Sequence, residues 1–240
     1  MLKKINQLIK KSDFQTNIFS ILHHSFIIRK WIYKWIKNNS NHINLKVLDF
    51  GCGEKPYKSI LNFDEYIWVD FKNSWHDNTQ NEVDFFWDGK TLPFKDEEFD
   101  SIITTEVFEH IFNIDEVLIE LNRVLKKWWK IVATIPFVIH EHEIPYDFAR
   151  YTSFWIQSLF EKHWFKVLKN EKYWSYFDVI LQLKIWFLWK ITETRFKYLT
   201  LVLRLIFVAP IMFLINLLSF ISPKMQWWLY LSNVIVWEKK

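Results

Sequence analysis

Apolar residues change their spacing along this chain of 240 residues, and the changes mark out its elements. Phe14, Ile18, Ile21, Leu22, Ile28, Trp31, Ile32, Trp35 and Ile36 recur at three- and four-residue steps, with Lys and Arg between them. That spacing predicts helix over much of the first forty residues. The polar run Asn38-Asn-Ser-Asn-His42 breaks it. Residues 46–50 (Lys-Val-Leu-Asp-Phe) then read as a short buried strand that runs into Gly51-Cys52-Gly53. Residues 65–71, 82–86, 99–105, 130–137 and 165–173 read as further strands. Residues 57–62, 107–110, 115–127 and 153–163 read as helices between them. Strands alternating with helices predict an α/β, doubly wound, mostly parallel sheet.

Beyond Tyr176 the pattern shifts. Residues 177–191 are apolar and aromatic with two lysines, and 199–221 are strongly apolar, interrupted by Arg204, Pro210 and Asn216. The second run is long enough to be a membrane-span candidate. Residues 229–236 are again strand-like. Four regions follow: an N-terminal helical segment (1–42), a nucleotide-fold core (43–176), an apolar helical insertion (177–226) and a final core strand (227–240).

Composition narrows the classes. Half the residues are hydrophobic and 24% are charged, with a mean hydropathy of -0.05, which excludes disorder, collagen and a polytopic transporter. One cysteine, Cys52, excludes an internal disulfide and a Cys-based zinc cluster and fits a reducing compartment. A net charge of +4 is too mild to argue for nucleic acid, so no nucleic-acid partner is expected. Met1-Leu-Lys-Lys-Ile5 lacks the apolar run of a signal peptide. One count stands out: 3 glycines against 15 tryptophans, where average usage predicts roughly 17 glycines.

Candidate chemistry begins at the glycine turn. Strand, Gly51-Cys52-Gly53 and a following helix would let a ligand approach the backbone and meet free N–H groups. Asp70 ends the next strand, where a carboxylate can hold ribose hydroxyls. Asp88 follows the third strand, and the fourth leads into Thr105-Glu-Val-Phe-Glu-His110. A single Asp at a strand end is more often a turn or cap residue than a ligand; the ordered set carries the argument.

In that order the motifs resemble a class I S-adenosylmethionine-dependent methyltransferase of the small-molecule type. The likeness covers residues 46 to about 173 and the last strand. It implies a three-layer Rossmann-like sheet of seven strands, the last antiparallel beside the fifth. It implies S-adenosylmethionine as cofactor. Asp49, Gly51, Cys52 and Gly53 would lie by its methionine part, Asp70 by the ribose, Asp88 by the adenine amine and Glu106 in the methyl-transfer cleft. Lys55 departs from the family, standing where a third glycine is common, and the NAD fingerprint GxGxxG is missing. Several tryptophans also stand at family glycine positions: Trp68 in Tyr66-Ile-Trp-Val-Asp70, Trp128 and Trp129 before the fifth strand, and Trp164 before the sixth. A helix ending in Lys-Lys should meet a left-handed residue, which a side chain resists. One codon read here as Trp, with UGA the natural candidate, is then Gly in the source organism; UGG codons at 128, 129 and 164 would overturn this. The other reading is a Trp-rich protein with membrane-facing aromatics, which suits Trp186, Trp189, Trp227 and Trp228.

The segment from Ile135 to Thr152 resembles a His/Pro-rich loop ahead of a "PYDFxRYT" stretch in a methyltransferase subgroup. Its position puts Tyr146, Arg150 and Tyr151 toward the acceptor, with His110, His140 and His142 as candidate catalytic bases. An Asp147–Arg150 or Glu143–Arg150 pair could equally just order the loop. His140-Glu-His142 has a two-histidine spacing, yet it lies on a loop with no distal ligand set, so no metal is expected. The expected activity is methyl transfer to a small or lipid-linked acceptor. The alternatives are a membrane-associated, non-catalytic nucleotide-binding module of the same fold, or a nicotinamide oxidoreductase. If 229–236 is a core strand, the insertion must leave and return on one face. It would then be a hairpin dipping into the bilayer, or a lid, with Lys184, Lys190, Arg195, Lys197 and Arg204 meeting anionic headgroups. The expected location is the cytoplasm, against the cytoplasmic membrane face.

Overall fold

The computed structural model describes residues 23–53, 55–71, 83–221 and 229–240. The helix read over Phe14 to Leu22, the start of the strand at 82, and Trp227 and Trp228 lie outside them. The chain divides into two compact units: Lys34–Tyr173 with Leu231–Lys240, and the described parts of Met1–Tyr33 and Trp174–Tyr230. The division falls inside helix α1 (Phe26–Asn38).

The larger unit holds strands β1 (Lys46–Phe50), β2 (Glu65–Phe71), β3 (Phe85–Trp87), β4 (Phe99–Thr105), β5 (Leu125–Pro136), β6 (Phe165–Tyr173) and β7 (Ser232–Lys239). It also holds helices α2 (Ile114–Val124) and α3 (Ser153–Lys162). The seven strands form one sheet in the order β3-β2-β1-β4-β5-β7-β6. β1 to β5 pair in parallel, and β7 is antiparallel to both β5 and β6. The parallel centre explains why β1 and β4 read as continuous apolar runs: Val47, Leu48, Ile102 and Ile103 are all buried, as strands covered on both faces must be. α2 lays Val117, Leu118, Leu121 and Val124 into the same core.

Three expectations need correction. First, no α-helix follows the glycine turn. Lys55 takes φ of 54°, its N–H closes a turn on the Cys52 carbonyl at 2.8 Å, and Pro56 follows. Only a 3-10 turn, Lys58–Ile60, forms before the chain enters β2. Second, the helix read to 127 stops at Val124, because Leu125 already pairs with Phe99. Phe99 faces Leu125 and Ser101 faces Lys130, so two steps along β4 match five along β5, and the extra residues form a bulge. Third, the last strand, read over 229–236, is displaced to Ser232–Lys239 and includes its charged end. Glu238 pairs with Lys130 and Lys166, and Lys239 Nζ donates to the Leu125 carbonyl at 2.6 Å.

In the smaller unit, α4 (Tyr176–Ile191) opens on a capping box: Ser175 Oγ accepts from Asp178 N–H and Asp178 accepts from Ser175 N–H. α5 (Lys197–Leu203) and α6 (Ala209–Leu218) are joined by a π-helical stretch, Arg204–Val208. Pro210 has no N–H to give the preceding turn, and the wider π turn just before it accommodates that loss. Arg204 does not extend freely: it donates to the Trp189 carbonyl at 3.1 Å and covers the Trp189 ring at 3.9 Å. The run Tyr198–Leu218 is 21 residues long, with a hydropathy of 2.5, and 22% of its most apolar 18-residue stretch is buried.

Tryptophans sort into two groups. Trp35, Trp87 and Trp237 are buried, and Trp237 stacks on Phe160. Trp128 and Trp164 are 67% and 61% exposed and have φ of 67° and 63°. Trp164 follows the α3 C-cap His163, and Trp128 lies in the β5 bulge. Trp174 also has a positive φ, whereas Trp68 and Trp129 do not. A β-carbon in the left-handed region costs about 1–2 kcal/mol, and glycine is free of it. Trp128→Gly and Trp164→Gly should each stabilise the protein by about 1 kcal/mol in urea unfolding. Trp129→Gly, in extended backbone, should give no gain.

Candidate active site

One cavity of about 270 Å³ opens at the carboxyl ends of β1, β2 and β4. The three glycines of the chain, Gly51, Gly53 and Gly89, all line it, and all three have positive φ (74°, 47° and 92°). The turn after β1 is fixed by the Val69 carbonyl, which accepts from Gly51 N–H at 2.9 Å and Cys52 N–H at 3.2 Å. A β-carbon on Gly51 would come within 2.4 Å of Val107, whereas one on Gly53 would meet nothing within 4 Å. Gly51 is therefore required by packing. Gly53 leaves free space along the cavity wall, where a ligand can lie against the backbone.

Asp70 lines the cavity from the end of β2, and its Oδ1 accepts from Phe71 N–H at 2.8 Å. Glu106 lines it from the residue after β4, with φ of 53°. Its N–H is held by the Thr134 carbonyl at 2.9 Å, and Ser232 Oγ donates to Oε2 at 3.4 Å. Burial pushes its carboxyl up to about 7. His110 and Tyr146 complete the predicted residues in the lining. Sequence reasoning missed the aromatic wall of Phe71, Trp87, Phe112 and Phe148, together with Asn113 and Glu143. Their one sequence signal was a density of aromatics just after the strand ends.

The remaining predicted residues sit outside the lining. Asp49 is buried behind the turn and accepts from Tyr66 Oη at 2.5 Å. Desolvation raises its carboxyl to about 7. Cys52 is buried beside it, and desolvation drives its thiol up. Asp88 is solvent-facing and caps its own turn, accepting from Lys90 N–H at 2.9 Å and Thr91 N–H at 3.3 Å; its neighbours Trp87 and Gly89 reach the cavity. Tyr151 is a core residue, its hydroxyl driven up to about 12 by burial. Arg150 forms a two-pronged pair with Asp147, both contacts 2.6 Å, and donates to the His140 carbonyl at 3.3 Å. Against the cost of burial, that pairing holds the Asp147 carboxyl down at about 2. His140 is exposed, its carbonyl oxygen lies 3.2 Å from His142 Nδ1, and its ring meets the His142 ring edge-on at 6.4 Å between centres. His142 packs edge-on against His110 at 4.8 Å between ring centres, and burial, then His110, lowers its pKa.

A methyltransferase domain family matches residues 48–128. Among curated proteins none matches the chain. Among solved structures the [4+2]-cyclase SpnF is similar at 12% identity, over 95% of this chain and 85% of that one, with a TM-score of 0.56. An S-adenosylmethionine-dependent methyltransferase from Archaeoglobus fulgidus is similar at 15% identity, over 88% and 94%, with a TM-score of 0.52. Phosphoethanolamine N-methyltransferase 2 from Haemonchus contortus, in complex with S-adenosyl-L-methionine, is similar at 14% identity, over 98% and 60%, with a TM-score of 0.52. These likenesses establish the fold.

The buried Asp49 gives a pH signature. Its folded-state pKa lies above the unfolded value of 3.8, so the folded state binds the extra proton. Its contribution is favourable at low pH and is lost as pH rises toward about 7. Relative to the parent, Asp49→Asn should therefore gain stability from pH 4 to pH 7 and level off above that. Urea unfolding of both proteins across this range measures the difference.

Proposed function

We propose that this chain, which carries a class I methyltransferase domain over residues 48–128, transfers a methyl group from S-adenosylmethionine to a small or lipid-linked acceptor. The carrying observation is that all three glycines, each at positive φ, line one cavity with Asp70 at its strand end. That arrangement fits the cofactor. Gly51 and Gly53 offer bare backbone to its methionine part, Asp70 a carboxylate to its ribose, and Phe71 and Trp87 flat faces to its base. S-adenosylmethionine supplies a methyl group already activated on a sulfonium sulfur. The protein's task is then to hold an acceptor in line, exclude water and, for a hydroxyl acceptor, take up a proton. Phe112, Phe148 and Tyr146 provide an apolar acceptor side.

The membrane reading rests on the smaller unit. Ile206, Phe207, Leu214, Leu217, Phe220 and Ile221 are each about half exposed or more, an apolar surface larger than isolated exposure explains. Tyr173 and Ser232, which flank the insertion, are paired in the sheet. The insertion therefore starts and ends at one place, which favours a helical pair lying in one leaflet over a single crossing. Lys184, Lys190 and Arg195 are exposed on or beside it and suit anionic headgroups. A cytoplasmic location on the inner membrane face follows from this reading.

Two measurements test the proposal. Calorimetry should show saturable S-adenosylmethionine binding that Asp70→Ala weakens at least tenfold; absence of binding by the parent defeats the cofactor assignment. Labelled cofactor and fractionated host membranes then report transfer, and binding without transfer to any fraction favours the non-catalytic module. Separately, the protein should co-sediment with anionic phospholipid vesicles. Phe207→Asp with Phe213→Asp should lower that binding by about tenfold or more while leaving cofactor binding intact.

A further inference from the structure

The geometry points to a divalent transition-metal site, of the zinc class, formed by the carboxylate of Glu109 with the imidazoles of His110 and His142. The donor atoms of the three residues all lie within 4.8 Å of one another. His110 Nε2 is 3.5 Å and His142 Nε2 is 3.9 Å from the same oxygen, Glu109 Oε1. Tetrahedral coordination with bonds of about 2.0–2.1 Å separates ligands by about 3.3 Å, so a small inward movement completes the set.

The hydrogen bonding around the cluster settles which nitrogens are available. His110 Nδ1 lies 2.9 Å from the Tyr146 carbonyl oxygen, which can only accept, so Nδ1 carries the hydrogen and Nε2 presents a lone pair. His142 Nδ1 lies 3.2 Å from the His140 carbonyl oxygen and 3.3 Å from Asp147 Oδ2, which fixes the same tautomer. Imidazoles oriented through Nδ1 by a carbonyl or carboxylate are the usual outer support of a metal-binding histidine. Asp147 is itself clamped by Arg150. Glu109 is the independent sign of a ligand. Its side chain is fully buried, and neither oxygen accepts a hydrogen bond. A buried carboxyl facing two imidazole lone pairs calls for a proton or a cation between them, and a cation satisfies all three donors at once.

Backbone contacts hold the ligands in register. Phe148 and Ala149 donate to the Glu109 carbonyl at 2.8 and 3.3 Å, tying the loop of His142 to the turn of Glu109 and His110. Two imidazoles and one carboxylate leave a fourth position, as at reactive zinc centres. His110 and Glu143 line the cavity, so that position adjoins the acceptor side, where a metal would acidify an acceptor hydroxyl. This use rests on the methyl-transfer reading; the site itself does not.

The test is equilibrium dialysis of metal-stripped full-length protein against Zn²⁺, with Co²⁺ as the optical probe. One Zn²⁺ per chain should bind, and Co²⁺ should give visible absorption of four- or five-coordinate type. Glu109→Gln and His142→Ala should each weaken Zn²⁺ binding by tenfold or more, while His140→Ala leaves it within twofold. His142 is partly exposed on a loop, so that variant keeps the test readable should Glu109→Gln fail to fold. No stoichiometric binding, or binding equal in parent and His142→Ala, overturns the site. Cofactor titration of the same samples is read separately, so loss of one assignment is not loss of the other.

Discussion

The turn after β1 is the constraint on which the rest depends. A parallel strand must end, reverse and leave a ligand-sized hollow within three residues. It does so by placing two left-handed glycines around Cys52 and tying two successive N–H groups to one carbonyl of β2. Val107 closes the outside of the turn so tightly that Gly51 admits no side chain. The same valine links the turn to the β4 end, where Glu106 and the Glu109–His110 pair begin. Two walls of the cavity are thus set by one close contact rather than by two independent loops.

Electrostatics follows from that closure. Glu106 and Glu109 are three residues apart; Glu109 is fully buried and Glu106 half-buried at the cavity. Burial raises the Glu109 carboxyl well above its ordinary value, and Glu106 pushes it further the same way. Arg150 lies close enough to favour both charges, yet its hydrogen bonds go to Asp147. Both shifts favour the protonated carboxyls, so the site holds exchangeable protons rather than fixed negative charge, an arrangement suited to handling protons or trading them for a cation.

Much of this was legible in the residues. Strands β1, β2 and β4 match their predicted bounds to the residue, because strands of a parallel centre are bounded by turn residues on both sides; β6, an antiparallel edge strand, also matches, between the end of α3 and the start of α4. Gly51, Gly53, Asp70, Glu106, His110 and Tyr146 were read as site residues from motif order and meet at one cavity. The misses have local causes. Lys55 in the left-handed region with Pro56 after it prevents a helix that the usual pattern promises. The last strand starts later than its apolar run and ends at Lys239, because pairing with β5 and β6 carries it through Glu238 and Lys239. Asp88 and Tyr151 lie outside the cavity lining, where Asp88 accepts from Lys90 and Thr91 N–H and Tyr151 packs in the core. Glu109 was invisible as a ligand candidate, since its partner His142 lies on a loop beyond the next strand and only the fold joins them.

The pairing of Tyr173 with Ser232 has a consequence for how such a chain could have arisen. Everything between them hangs from the two ends of what would otherwise be an ordinary β-hairpin. Exchanging that whole stretch for a tight two-residue connection would preserve every strand register in the sheet. The apolar helices are accordingly joined to the sheet through one pair of strand ends, so their sequence can change without altering the register of any strand.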